Sequence, residues 1–313
     1  MAVRIGFQVW PQNTTWPAMR EVAQLADTIG VESIWTWDHF YALSGEEERP
    51  NFEAWQILPA WAAVTQRVRI GALVSGITYR HPAVIANMAA TLDHVSNGRV
   101  NLGIGAAWNQ TEHRAYGIEL GTPGVRSTRF AEATKIIRRL LDGDRVTMKG
   151  KYYKLQDAVL NVRPVQKRLP IMIGGGGEQR TLRTTARYAD MWHGFGTVDL
   201  IKHKLEVLRQ HCTEVDRDPN EIVPYGGSWL VIRDNKDEAE RVLANIAKHH
   251  PGMNRPNAFV GNTDEVTKHL KSFWDIGLRG WIAGFAYPYD TESMKRLAED
   301  VRPRLEKVVG VAA

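Results

Sequence analysis

Cysteine is almost missing from this chain: Cys212 is the one thiol in 313 residues. A single thiol excludes an internal disulfide framework and a thiolate metal cluster. Cys212 lies in a polar helical segment and reads as a bystander, not a nucleophile. No apolar run approaches the roughly 20 residues that a membrane span needs. The N-terminal stretch lacks the charged start and apolar run of a signal peptide. The expectation is a protein of a reducing cytoplasm, without membrane partners. Metal-ligand spacing is missing as well. No His-x-His lies on the first strand and no His-Glu-x-x-His occurs anywhere, so no metal is expected and a hydrolase barrel is disfavoured. A basic arm, a zinc finger and an RNP-like motif are all lacking, which argues against nucleic acid.

What is present points to a globular enzyme. Apolar residues make up 43% and charged residues 24%, a balance that buries a core and is not that of a disordered chain. The net charge is +5, and the pI is about 9.3. Its Lys and Arg are scattered among acids, so the excess suits a basic mouth for an anionic small molecule.

Strand-like and helix-like stretches alternate along the chain. Strands are expected at 4–10, 31–37, 68–75, 99–105, 170–174, 190–195, 222–232 and 280–285. Helices are expected at 16–30, 52–66, 83–95, 126–141, 178–188, 199–215, 237–249, 263–276 and 291–308. Residues 41–51 read as a surface loop with an acidic triplet. Residues 142–168 break the rhythm. They read as an insertion holding a hairpin over 146–153, too short to bury its own core. Strict βα alternation implies a parallel sheet. Eight units in one domain, 1–313, fit a (β/α)8 TIM barrel with an insertion. A doubly wound open sheet would carry a Gly-rich turn after the first strand; here that place holds Trp10-Pro11-Gln12.

In such a barrel the chemistry lies at the C-terminal strand ends. Those ends hold Trp10, Asp38 and His39, Val74 and Ser75, residues 105–109, Gly174 to Gly177, His193, Trp229 and Phe285. Tryptophans beside bare backbone suit a pocket for a large planar ligand. His39 follows Asp38 in an aromatic setting, which suits a proton donor or acceptor near neutral pH. Asp38 either orients His39 or binds a ligand donor. The run Gly174-Gly175-Gly176-Gly177, ahead of the expected helix, with Arg180 and Arg183 nearby, suits a phosphate. Trp108 is placed to cover a ligand ring. Glu112, His113 and Tyr116 share a helical face and are candidates for the site or for structural caps. Pro82 forces His81 out of helical geometry, and its imidazole reads as structural.

Together these stretches resemble the bacterial luciferase-like monooxygenase superfamily, and within it the branch that uses the deazaflavin coenzyme F420. The resemblance is carried by Trp-Asp-His-Phe at 37–40, Thr-Tyr-Arg-His-Pro-Ala at 78–83, and Gly-Arg-Val-Asn-Leu-Gly-Ile-Gly at 98–105 running into Trp108. Glu-His-Arg-Ala-Tyr-Gly at 112–117, Arg129-Phe130 and Pro-Ile-Met-Ile-Gly-Gly-Gly-Gly at 170–177 complete it. It implies a (β/α)8 barrel, a homodimer, and hydride transfer at C5 of F420. It implies a non-prolyl cis peptide at Leu73–Val74, give or take one residue. The cofactor contacts it implies are Asp38, Leu73, Val74, Ser75, Ala106, Ala107, Trp108, Asn109, Gly174, Gly175, Gly176, Gly177 and Arg180. The catalytic proton partner would be His39. Trp10, Trp37, Trp192 and Trp229 would line the substrate pocket, for an alcohol or aldehyde, an activated alkene or a nitroaromatic. Gln110 departs from the acid that relatives often carry after Trp-Asn. A monooxygenase using reduced FMN shares this pattern, and a non-catalytic flavin-binding protein would keep the glycine run. A basic rim at Lys167, Arg168, Arg180 and Arg183 suits the glutamyl tail of F420.

Overall fold

A computed structural model describes residues 3–45, 48–251 and 258–310. Two of the acids of the expected surface loop, Glu46 and Glu47, lie outside the described residues. The fold is (β/α)8. Its parallel strands are β1 (Arg4–Val9), β2 (Ser33–Thr36), β3 (Arg69–Ala72), β4 (Val100–Gly105), β5 (Ile171–Gly174), β6 (Met191–His193), β7 (Val223–Ile232) and β8 (Gly280–Phe285). They join one sheet in chain order, with β8 paired to β1 and β6 to β7, so the sheet closes as expected and the competing open sheet is excluded.

Helix boundaries follow local chemistry. Thr15 caps the helix Trp16–Thr28 through the Ala18 N–H, and Gly30, at φ +68°, ends the turn after it. His81 caps Pro82–Val95 by accepting from the Ala83 N–H, the structural role expected of it. Asn262 and Glu265 close a capping box on Thr263–Asp275.

Four expectations are corrected. The third strand is not continuous over 68–75: it stops at Ala72, a cis peptide joins Leu73 to Val74, and Ser75–Gly76 then pairs with β4. The hairpin is longer than 146–153. Its strands are Val146–Lys149 and Lys154–Ala158, and the intervening N–H groups of Lys151, Tyr152 and Tyr153 donate to the Glu132 carboxylate. A strand Ala258–Gly261 pairs with β7, where no strand was expected. The last helix is three pieces, Thr291–Arg296, a π segment Leu297–Val301 and Arg302–Val308. Pro303 has no N–H to continue the ordinary ladder there.

The chain divides into two compact units. The first comprises Met1–Ile70, Gly194–Lys202 and Pro224–Ala313. Register in this unit aligns Arg4 with Gly280 and Gly280 with Tyr225 at the strand starts. A Cβ on Gly280 would come within 2.1 Å of the Tyr225 ring, so only glycine leaves room for that tyrosine. The Tyr225 hydroxyl donates to the Glu32 carboxylate at 3.0 Å. Burial pushes the Glu32 carboxyl above its usual range, against the pull of Arg4. Further along, Arg233 is buried against Asp290 at 2.8 Å, with Ser293 and Glu238 also in reach.

The second unit comprises Gly71–His193 and His203–Val223. Its central packing is Val74 against glycines. A Cβ on Gly105 would lie 2.6 Å from Val74 Cγ2, and one on Gly174 would lie 2.9 Å from Val74 Cγ1. Gly103 is tighter still: its Cβ would lie 1.9 Å from the Ala72 carbonyl oxygen. Arg138 is buried and ties Asp142, Asp190 and the Leu169 carbonyl together.

Two stability measurements follow from this packing. Gly103→Ala pushes backbone against backbone, which no rotamer relieves, and lowers the unfolding free energy by about 3 kcal/mol. Gly124→Ala meets nothing within 4 Å and raises it by up to about 1 kcal/mol; urea titration compares the two. Burial pulls the His193 imidazole from 6.5 down to about 3. The folded state therefore resists protonation. The His193 contribution is complete above pH 6.5 and shrinks as pH falls from there towards 3. Between pH 7 and pH 5 the loss is about 2 kcal/mol, and His193→Gln, unfolded in urea at both pH values, escapes it.

Candidate active site

In the first unit, the ends of β1, β2 and β7 bring aromatic rings together. Trp229 aligns with Gly284, and a Cβ there would come 3.0 Å from the indole. The Trp10 ring centroid lies 4.3 Å from Trp229 and 4.5 Å from Trp37. The imidazole of His39 stands edge-on to Trp37 at 6.3 Å. Asp38 is buried, and His39 and Trp10 are half-buried. Three of the four expected pocket tryptophans and the Asp38-His39 pair therefore belong to one cluster.

Residues that the sequence did not mark complete it. His250 lies edge-on to Trp10 at 5.7 Å. Its Nε2 donates to the Tyr287 carbonyl at 2.6 Å, and its Nδ1 accepts from Gln12 Nε2 at 3.0 Å. Burial lowers the His250 pKa, which favours this neutral tautomer. Asn51 bonds the Trp37 indole. No periodic pattern signals any of these, because each sits in a loop.

In the second unit, Leu73, Val74 and Ser75 follow β3, with the cis peptide at the expected Leu73–Val74 bond. The loop after β4 runs through Ala106 and Ala107, the latter at φ +62°, to an exposed Trp108. Asn109 caps the helix Gln110–Ala115. Glu112 and His113 are buried on that helix, and their bonds are structural. Tyr79 donates to Glu112, while His113 bonds Thr78 Oγ1 at 2.7 Å and the Asn109 carbonyl at 2.6 Å.

The glycine run leaves β5 at Gly174, and Gly175 adopts φ +122°. Gly175, Gly176 and Gly177 are exposed. The helix expected at Glu178 starts at Thr181, so the glycines form a free turn ahead of it. Trp192, expected in the substrate pocket, is instead fully buried; its indole donates to the Gly175 carbonyl at 2.9 Å and braces the turn. Arg180 points its Nη1 at Gly124 O, Ser127 Oγ and Thr128 Oγ1, which ties the turn to the helix Pro123–Leu141. The cation beside the glycines is one that sequence reasoning missed. Lys204 Cε would lie 3.5 Å from a Cβ on Gly176, and its Nζ meets Glu178 at 2.5 Å. The Gly175 N–H donates to the His193 carbonyl at 3.2 Å; the exposed backbone of Gly176 and Gly177 beside an ammonium fits an anion such as a phosphate. Among the described residues no cluster suits a metal ion.

The chain is 37% identical to an F420-dependent glucose-6-phosphate dehydrogenase of Amycolatopsis mediterranei, over 97% of this chain and 98% of that protein. It is 30% identical to the phthiodiolone/phenolphthiodiolone dimycocerosates ketoreductase of Mycobacterium tuberculosis, over 74% of this chain. That match spans 65% of the ketoreductase's length. A solved F420-dependent secondary alcohol dehydrogenase, in complex with an F420-acetone adduct, superposes with a TM-score of 0.84 at 22% identity, covering 97% of this chain and 99% of that one. It shares the fold. Residues 2–290 match the luciferase-like monooxygenase family, and the chain belongs to that family.

Proposed function

We propose that the protein is an F420-dependent oxidoreductase that interconverts an alcohol and its carbonyl compound. The observation that carries this is the similarity along almost the whole chain to a dehydrogenase named for F420. The ketoreductase and the secondary alcohol dehydrogenase support the substrate class, since both are named for the same alcohol–carbonyl pair.

When bound, F420 supplies or accepts the hydride at C5. The protein's own residues do the rest. The backbone of Gly176 and Gly177 would offer N–H groups to its phosphate, and Lys204 adds positive charge. Trp192 and Arg180 hold that turn in place. As the resemblance implies, Asp38, Leu73 to Ser75 and residues 106–109 would meet the deazaflavin. Trp10, Trp37 and Trp229 pack the apolar part of the substrate. His39 takes the hydroxyl proton when the alcohol is oxidised and returns it to the carbonyl oxygen in reduction. Exclusion of water by the tryptophans keeps that proton exchange local.

The same reading makes the protein a cytoplasmic homodimer. Among the described residues no helix is long and apolar enough to cross a membrane. Light scattering after gel filtration is expected to give twice the chain mass of 35.3 kDa.

Titration of the purified protein with F420 and with FMN decides the cofactor. F420 is expected to bind at micromolar concentration or below and FMN at least about tenfold more weakly. Tight FMN binding without F420 binding would overturn the proposal. His39→Ala is expected to lower kcat by about 10²–10⁴-fold while F420 affinity stays within about threefold. Following F420 absorbance with a set of secondary alcohols gives both numbers, and an unchanged kcat would remove His39 from the chemistry.

A further inference from the structure

Asn51 is a half-buried loop residue shortly before the helix Ala54–Val64. Its side chain bonds in two opposite senses. Oδ1 accepts from the Trp37 indole N–H at 3.2 Å, and Nδ2 donates to the His39 carbonyl at 2.5 Å. An indole N–H can only donate and a peptide carbonyl can only accept. The two partners thereby decide which way the amide faces. They also decide the residue type. Aspartate would lack the donor, leucine would lack both groups, and glutamine would be one methylene too long.

The place matters because β2 ends at Thr36. Trp37, Asp38 and His39 lie beyond its ladder, and the Asn51 amide takes hold of the chain on both sides of Asp38. Asn51 is itself fixed. It forms an antiparallel bridge with Gln12. Asn13 N–H donates to Pro50 O at 2.8 Å, and Phe52 N–H to Pro11 O at 3.0 Å. Gln12 is fully buried. It bonds Ser44 Oγ at 2.6 Å, accepts from the Leu43 N–H at 2.6 Å, and reaches His250, which is anchored on Tyr287 O. The amide of Asn51 is therefore the end of a clasp made from several loops of one unit.

We propose that Asn51 is a positioning residue. It holds the His39 carbonyl and the Trp37 indole together, and so sets the direction in which the His39 imidazole is presented. The role rests on the reading of His39 as the proton partner of the F420 reaction.

Two variants separate the contacts. Asn51→Asp keeps an acceptor for Trp37 and removes the donor to His39; Asn51→Ala removes both. The readout is NMR of the ligand-free protein, with the His39 imidazole and Trp37 indole signals assigned by their loss in His39→Gln and Trp37→Phe. In Asn51→Asp the Trp37 N–H signal is expected to stay while the His39 signal moves. In Asn51→Ala both signals are expected to move. A His39 signal unchanged in folded Asn51→Asp would overturn the proposal; should Asn51→Ala not fold, Asn51→Asp decides alone. F420 binding to the wild-type protein is measured separately. Its failure would remove the F420 reading and leave the NMR comparison to decide whether Asn51 positions His39.

Discussion

Val74 needs bare backbone on β4 and β5, and the second unit is arranged to supply it. Glycines at 103, 105 and 174 leave the space that its side chain and the Ala72 carbonyl take up. A side chain at any of those three positions would collide with Val74 or with the Ala72 carbonyl. The same absence of side chains continues into Gly175 to Gly177, where the chain turns and the residues are exposed. One feature of composition, glycine at strand ends, thus serves packing in one place and an exposed turn in the next. Trp192 links the two uses, since its buried indole braces Gly175 from below.

The first unit solves a different problem. Its strands end in large rings, and rings alone do not fix their own orientation. Trp10, Trp37 and Trp229 touch at 4.3–4.5 Å, and polar loop residues fix the Trp37 indole and pack His250 against Trp10. Asn51, Gln12 and His250 each bond groups far away in sequence, and each bond has a single chemical sense. Such bonds are individually modest, on the order of 1 kcal/mol. Their value lies in selecting one arrangement of the aromatic cluster. Buried ions act similarly elsewhere. Arg233 is anchored on Asp290 with Glu238 and Glu292 also in reach, and losing Arg233 leaves the buried Asp290 carboxylate without its cation.

The alternation of strands and helices, the eight strand tips and the glycine run were all legible in the residues. Hydrophobic periodicity and turn residues are local signals, and the core requires them. The resemblance located the Leu73–Val74 cis peptide within a residue. The breaks in the regular pattern were less legible. The start of the helix at Thr181 and the π segment at 297–301 depend on which hydrogen bonds the neighbours leave available. The strand Ala258–Gly261 is four residues long and carries too little pattern to be told from a loop.

The sequence by itself determined the fold class, the family and the groups at the strand ends: an Asp-His pair, tryptophans and a glycine turn. Only the tertiary structure decided how those groups are used. It turned Trp192 into a brace, aimed Arg180 at another helix, brought Lys204 to the glycines and closed Asn51 over Trp37 and His39. The physical reason is range. Burial patterns repeat every few residues and are written along the chain, whereas a hydrogen bond such as Gln12 to His250 joins residues 238 apart and leaves no trace in either neighbourhood.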